Sequence, residues 1–405
     1  MKKLMTATLC SLVVLGAGAQ KANVDAAKKL AGKIDKIEEA RALIQQALQN
    51  PETAGQLETL YIAGKIEMDA YEKNIANQAL APDKVQSEID MSNELLNAYN
   101  FWTQVFPLDQ LPNEKGEVKP KHTKELQKKI GSKFNDFFNA GGAFFNNKMY
   151  PQAYDAFMIY GDMPEMEVLG KDRPEYADTI RATAYFNAGL AAWSDDDLDR
   201  AAVAFKKTRL NNYSDPSATI YEIACWQNIE QRDTTGSRSD EARDAIYDAA
   251  KSGYEKFGMS QPVFLNNMVN TMINSGRENQ AVEIVNDAIA NNPDMANLYG
   301  LRAFIYDRIG NESGAEADYR TAAELPNVDY ETIRNAVSHL LRIGQEKWNN
   351  IELGDAESHN KKQDIRSNYF QKAKDYAEKA KTLENADNIY LDDIIERIDY
   401  ILTLK

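Results

Sequence analysis

The feature that most constrains the fold of this sequence is an internal repeat. Residues 262–293 and 296–326 align so that large apolar residues, a glycine and two alanines fall on equivalent residues. The aligned pairs are each 34 residues apart: Leu265 with Tyr299, Met272 with Tyr306, Gly276 with Gly310, Ala281 with Ala315, and Ala288 with Ala322. A repeat of this length holds one pair of helices, and such a pair buries its apolar face by stacking on its neighbours.

The residue types at the aligned positions have a physical reason. Alanines such as Ala281 and Ala315 let two antiparallel helices approach closely, and the large residues fill the space between neighbouring repeats. Gly276 and Gly310 are suited to end the first helix in a conformation that other residues avoid. Glycine (21) and proline (12) are scarce for a chain of 405 residues, which also favours helices over a turn-rich β protein.

Poorer copies of the pattern occur in 134–164, 182–216, 218–262 and 330–384. In the first two, the glycine and alanine positions are Gly141 with Ala153 and Gly189 with Ala201. The residues that define the repeat are therefore Gly141, Ala153, Gly189, Ala201, Gly276, Ala281, Gly310 and Ala315.

This pattern resembles the tetratricopeptide repeat (TPR), whose period is about 34 residues. The resemblance implies an all-α fold, a right-handed α-solenoid of tetratricopeptide-like helix pairs. The array is also similar to the exported TPR proteins of bacterial cell envelopes, which implies a scaffold or adaptor that binds a protein or peptide. Because repeat arrays carry many unrelated functions, the partner itself does not follow from the fold.

Five segments are expected. Residues 1–19 form a signal peptide, and 20–106 form less regular helical repeats. Residues 107–123 are Pro-rich, and this segment is either a linker between domains or a structured loop. Residues 124–387 form the tetratricopeptide-like array, and 388–405 form a capping helix whose apolar residues lie on one face.

The N-terminus predicts export. Lys2 and Lys3 precede a short apolar run, and small residues at 17–19 provide a cleavage site, so the mature chain is expected to begin near Gln20. Cys10 lies inside the apolar run after Leu9, which argues against a lipid anchor. We expect a soluble periplasmic or extracellular protein without membrane insertion after cleavage.

No enzyme motif is present in the sequence. His122 and His359 lie in polar loops and are expected to be solvated, and the mature chain retains Cys225 as its lone cysteine. The acidic run 194–199 lacks the central glycine and distal glutamate of a calcium loop, and we interpret it as a helix cap. We therefore expect no catalytic residues, no metal and no cofactor.

The formal net charge of −15 and the absence of a strongly basic stretch make nucleic acid an unfavourable partner. In the repeat template, the residue two before the small position of the first helix points to the concave face. Asparagine occupies that place in four repeats, and its amide both donates and accepts hydrogen bonds. The hypothetical peptide-binding groove therefore contains Asn139, Asn187, Asn267 and Asn335.

The sequence is compatible with two other functions. The chain could be a structural subunit of a cell-envelope assembly that uses its edges and ends rather than a groove. It could also bind carbohydrate, since Trp193 and Trp226 fall outside the main packing positions and sugar rings stack on tryptophan. The asparagines, in turn, could serve only to tie neighbouring helices together.

Overall fold

The computed structural model describes residues 17–352 and 357–403, and every regular element in these two ranges is helical. Residues 1–16, most of the expected signal peptide, lie outside the described residues. Residues 17–19 begin the first helix. The chain divides into two compact units, Met1–Ala242 and Arg243–Lys405.

The first unit holds ten complete helices in its described part, and the boundary between the units falls within the eleventh. Their bounds are α1 Ala17–Leu30, α2 Ile37–Leu48, α3 Leu57–Leu80, α4 Glu88–Asp109, α5 Thr123–Ser132, α6 Phe134–Asn146, α7 Tyr150–Asp162, α8 Asp178–Ser194, α9 Leu198–Leu210, α10 Ser217–Arg232 and α11 Ser239–Phe257.

The helices of the second unit that follow α11 are shorter on average. They are α12 Pro262–Asn274, α13 Glu278–Asn291, α14 Ala296–Arg308, α15 Glu312–Glu324, α16 Tyr330–Asn349, α17 Ser358–Ile365, α18 Lys372–Ala380 and α19 Asn388–Thr403. A π-helical turn, Arg366–Gln371, joins α17 to α18 without a break.

Helices that are adjacent in sequence pack against each other in both units. In the first unit, α1 packs on α2, α3 on α4, α6 on α7 and α8 on α9, and each pair also contacts the next. In the second unit the same order runs from α12 to α16, and α18 then packs on α16 and α19. The predicted all-α class and the consecutive helix pairing are confirmed.

Small residues lie where two helices come closest. Ala153, Ala201, Ala281 and Ala315 are fully buried. A Cβ added at Gly141 would lie 2.7 Å from the ring of Phe157, and one at Gly189 would lie 2.6 Å from the ring of Phe205. The two glycine–phenylalanine pairs have the same separation in sequence. These glycines therefore let α6 approach α7 and α8 approach α9.

Gly276 and Gly310 have a different role. Each follows the end of a helix and has a positive φ, +69° and +75° respectively. This left-handed conformation costs glycine little because it has no Cβ. The structure therefore places them at the turn between the two helices of a pair, in the positions that the aligned repeats indicate.

The Pro-rich segment begins later than the expected residue 107. Pro107 lies inside α4, in its last turns, so the segment between helices begins after Asp109. Proline there removes a single backbone donor, which the end of a long helix tolerates. The segment is also a structured loop at its far end. The buried Asp109 carboxylate accepts hydrogen bonds from the backbone N–H groups of Lys121, His122 and Thr123 at 2.8–2.9 Å.

The last helix presents one apolar face to the array. Leu391, Ile394 and Ile398 of α19 are buried in the same core as Ala373 and Ala377 of α18. The acidic residues and Arg397 of α19 lie on its exposed side. The capping role of α19 stays a prediction.

Candidate functional site

The four asparagines of the expected groove fall in both units. Asn139 on α6 and Asn187 on α8 lie in the first unit, and Asn267 on α12 and Asn335 on α16 lie in the second. The amide of Asn267 donates a hydrogen bond to the carbonyl oxygen of Val263 in its own helix at 2.8 Å. The pair in the first unit, Asn139 and Asn187, lines two neighbouring openings and forms the candidate site.

The larger opening lies between α6 and the end of the α3–α4 pair. Its volume is about 700 Å³. It is lined by Tyr71, Ile75 and Gln78 of α3, by Val85 and Gln86, by Glu88, Met91, Ser92 and Leu95 of α4, and by Asp136, Phe138, Asn139, Ala140, Gly142, Ala143 and Asn146 of α6.

A smaller opening of about 200 Å³ continues from it towards α8. Its lining consists of Gly142, Phe145 and Asn146 of α6, Phe157 of α7, and Asn187 and Leu190 of α8. Gly142 and Asn146 line both openings, so the two openings are adjacent along α6. We call the surface defined by the residues of both openings the α6 groove.

The polar groups of the α6 groove are mostly amides. Asn139 and Asn146 are exposed, and Asn187 is half-buried. The side-chain amides of Asn139 and Asn187 form no hydrogen bond with any residue in the described part of the chain. Both are therefore available to a ligand, which weakens the alternative that they only tie neighbouring helices together.

The apolar part of the groove comes from residues that the repeat pattern does not indicate. Ile75 on α3 is 37% exposed, although it is a large aliphatic side chain. Phe138 on α6 packs edge-to-face on Phe157 with a centroid distance of 5.4 Å. The wall formed by α3 and α4 was missed because these helices do not match the repeat template, and no pattern in residues 56–106 indicates which face is open.

Two carboxylates line the larger opening, those of Glu88 and Asp136. Glu88 is exposed in the first turn of α4, and Asp136 lies on α6 with the Lys133 ammonium 3.9 Å away. Burial, and next the negative charge of Asp136, raise the pKa of the Tyr71 hydroxyl, which therefore stays protonated. The groove residues include no lysine or arginine.

The acidic run 194–199 has its expected capping role. The Asp197 carboxylate accepts a hydrogen bond from the backbone N–H of Arg200 at the start of α9. Asp196 pairs with Arg232 at 2.9 Å, and Asp199 pairs with Arg238 at 2.8 Å. Across residues 17–352 and 357–403 there is no group of three or more metal-ligating side chains.

His122 is not the solvated loop residue that was expected. Its ring stacks on the ring of Tyr61 with a centroid distance of 3.7 Å, and 14% of its side chain is exposed. Three hydrogen bonds hold this part of the loop to Asp109 at the end of α4, and the local sequence does not reveal them. His359 is exposed, as expected.

The aromatic residues considered for sugar stacking have protein partners. Trp193 and Trp226 are half-buried against the cluster around Phe205 and Cys225. The Arg238 guanidinium lies 5.6 Å from the Trp226 ring. Burial raises the pKa of the Cys225 thiol to about 12, in agreement with an unreactive thiol.

None of the described helices is both long enough and apolar enough to cross a membrane. No protein-family model matches the sequence, and no curated protein sequence matches it.

Solved structures with a similar fold include the TPR domain of P58(IPK), which is 10% identical, with 95% of this chain and 98% of that chain covered and a TM-score of 0.26. A human IFIT1 dimer with m7Gppp-AAAA is 12% identical, with 90% and 86% covered and a TM-score of 0.34. The APC/C hetero-tetramer Cut9-Hcn1 is 12% identical, with 94% and 84% covered and a TM-score of 0.27. These values describe a general likeness among helical arrays. The consecutive helix pairs, buried alanines and close-approach glycines of this chain show an all-α fold with a repeat that resembles the tetratricopeptide repeat.

Proposed function

We propose that this chain is a non-enzymatic scaffold that binds an extended segment of another protein in the α6 groove. The observation that carries the proposal is the pair of amides, Asn139 and Asn187, which line the two adjacent openings of this groove without hydrogen bonds to the described part of the chain. An amide matches the N–H and C=O groups of an extended main chain regardless of its side chains.

The composition of the groove favours a polypeptide over other ligands. The exposed side chain of Ile75 and the half-buried ring of Phe138 offer contacts to the side chains of a bound segment. A nucleic acid would bring phosphates to a surface with two carboxylates and no lysine or arginine, on a chain with a formal net charge of −15. We therefore infer a protein partner and no nucleic acid.

We also propose that the protein is exported and soluble after signal-peptide cleavage near Ala19. Cleavage there would remove only the first three residues of α1, and the side chain of Gln20 is already buried and accepts a hydrogen bond from Asn23. N-terminal sequencing of the natural protein should find a start at or near Gln20 without a lipid. A chain that retains Met1, or one acylated at Cys10, would contradict the proposal.

The groove proposal is tested with a purified probe. Peptides of twelve residues are selected from a random displayed library on the wild-type protein, and the best one is labelled and used for affinity measurements. The double variant Asn139→Ala, Asn187→Ala should bind it about 10- to 30-fold more weakly, because each amide contributes a net hydrogen bond of roughly 1 kcal/mol.

The matched control is the double variant Asn279→Ala, Asn360→Ala, which removes two exposed helical asparagines that lie outside the groove. Its affinity should equal that of the wild type. Unchanged affinity in the groove variant would reject the site. A lower unfolding temperature without a separate binding defect would show that the amides only support the fold.

The two alternatives predict other outcomes. A structural subunit that contacts its neighbours by edges and ends would select no peptide that the groove variant weakens. A carbohydrate-binding protein would give specific signals on a glycan array and lose them when Trp193 is replaced. The contacts of Trp193 and Trp226 with their own unit make this second alternative the less favoured one.

A further inference from the structure

The α6 groove contains a glycine that the fold itself does not explain. Nine other glycines in the described α-helices have a neighbour that would lie closer than 3.0 Å to an added Cβ. Gly141, for example, faces the ring of Phe157. At Gly142 an added Cβ would meet nothing within 4 Å.

A glycine inside a helix is unfavourable. It loses more conformational freedom on folding than alanine and leaves the backbone open to water. Gly142 lies within α6, is helical and adopts no positive φ, so neither a turn nor close helix packing requires it. A remaining reason for glycine in such a place is the close approach of another backbone or a ligand.

The position of Gly142 shows where that ligand would lie. It lines both openings of the α6 groove, with Asn139 and Asn146 beside it on the same helix. A main chain that crosses α6 at Gly142 would contact the bare helix backbone. The amides of Asn139 and Asn187 would be near it, one in each opening.

The charge of the groove indicates what the segment carries. Glu88 is exposed and forms no ion pair with the described part of the chain. The Asp136 carboxylate, by contrast, has the Lys133 ammonium 3.9 Å away. With no lysine or arginine among the groove residues, the local field favours a positive charge. The exposed side chain of Ile75 lies in the same opening and suits an apolar neighbour.

We propose that the α6 groove binds an extended segment of a second protein that carries basic and apolar side chains, and that the main chain of this segment crosses α6 at Gly142. This inference rests on the proposed function and adds the crossing point and the chemical class of the partner.

The crossing point is tested by adding side chains at Gly142. Gly142→Ala should raise the unfolding temperature by about 1–4 °C, since alanine is the better helix former and has open space. It should nevertheless weaken binding of the selected twelve-residue peptide. Gly142→Leu should weaken it further, by about 10-fold or more, through lost close contact. Ala317→Leu on α15 adds a leucine to an exposed helix position outside the groove and should leave the affinity unchanged.

The charge is tested in the same selection. The selected peptides should carry an excess of lysine and arginine, and Glu88→Gln should weaken their binding by about 2- to 5-fold at low salt, as expected for an exposed pair. The effect should diminish as salt is added. Glu396→Gln, which removes an exposed acid on α19, should have no effect.

These outcomes separate the two claims. If the Asn139→Ala, Asn187→Ala variant binds as well as the wild type, the proposed function fails. If that variant weakens binding but Gly142→Leu does not, the proposed groove is retained and the crossing point is overturned. If the selected peptides are neutral or acidic, the proposed chemical class of the partner is overturned.

Discussion

At the scale of single residues, the absence of side-chain volume decides how closely the helices approach. Ala281 and Ala315 are fully buried, and Gly141 and Gly189 lie directly beneath phenylalanine rings. Interiors are close-packed, so an added methylene group at such a crossing displaces its neighbours. The small residues therefore determine the spacing of the helices as much as the large residues do.

Ala315→Leu tests this directly. The substitution should lower the free energy of unfolding by roughly 1–3 kcal/mol, because the buried crossing of α15 cannot absorb the added volume. Urea unfolding of the purified protein measures the change. Ala317→Leu, two residues along the same helix and exposed, is the matched control and should be close to neutral. Equal effects in both variants would mean that the assigned phase of α15 is wrong.

At the scale of helices and their connections, buried charged groups hold neighbouring segments together. Asp109, at the end of α4, holds the start of α5 through three backbone N–H groups and the Thr123 hydroxyl. Arg209 of α9 pairs with Glu222 of α10 through two hydrogen bonds of 2.7 and 3.1 Å. Removal of either contact should lower the stability of the fold.

The stability contributed by the Asp109 carboxylate should depend on pH. Burial by itself raises the pKa of Asp109, but the hydrogen bonds from Lys121, Thr123 and His122 lower it overall below the ordinary value of 3.8. A carboxylate with a lowered folded-state pKa contributes stability that is complete above its unfolded pKa. This stability is lost as the pH falls through the folded pKa.

Asp109→Asn should therefore cost roughly 1–3 kcal/mol near pH 7, and the difference from the wild type should shrink below about pH 4. Urea unfolding of both proteins between pH 3 and pH 7 measures the cost near neutral pH and its decrease in acid. Asp83→Asn, at an exposed position, is the control and should track the wild type throughout. A cost for Asp109→Asn that does not change with pH would contradict the assignment of the carboxylate as the anchor.

The ion pair of Arg209 and Glu222 joins α9 to α10. The Arg209 and Glu222 side chains are 6% and 1% exposed, so removal of one partner leaves a buried charge without its main counterion. Arg209→Met should cost about 3–5 kcal/mol, and the double variant Arg209→Met, Glu222→Leu should recover most of that loss. A double-mutant cycle by urea unfolding measures the coupling. Strictly additive costs would show that the two side chains do not act as a pair.

At the scale of the whole molecule, the regular part of the fold could be predicted and its open surfaces could not. The aligned repeats located the buried alanines and the turn glycines, because both follow from helix geometry. The α3–α4 wall of the groove and the packing of His122 on Tyr61 depend on contacts between residues distant in sequence, such as the 3.7 Å stacking of these two rings. Gly142 could have been noticed as a second glycine beside Gly141, but only the structure shows that nothing lies above it.

The central claim, that the α6 groove holds a polypeptide, is tested most directly by site-specific photocross-linking in cells of the natural host. A benzophenone side chain is placed at Asn146, which is exposed and lines both openings, or at Val203, which is 49% exposed on α9 outside the groove. We predict a protein adduct from position 146, traced by mass spectrometry to one extended segment, and none from position 203. An adduct from position 203 alone, or adducts from neither position, would contradict the claim.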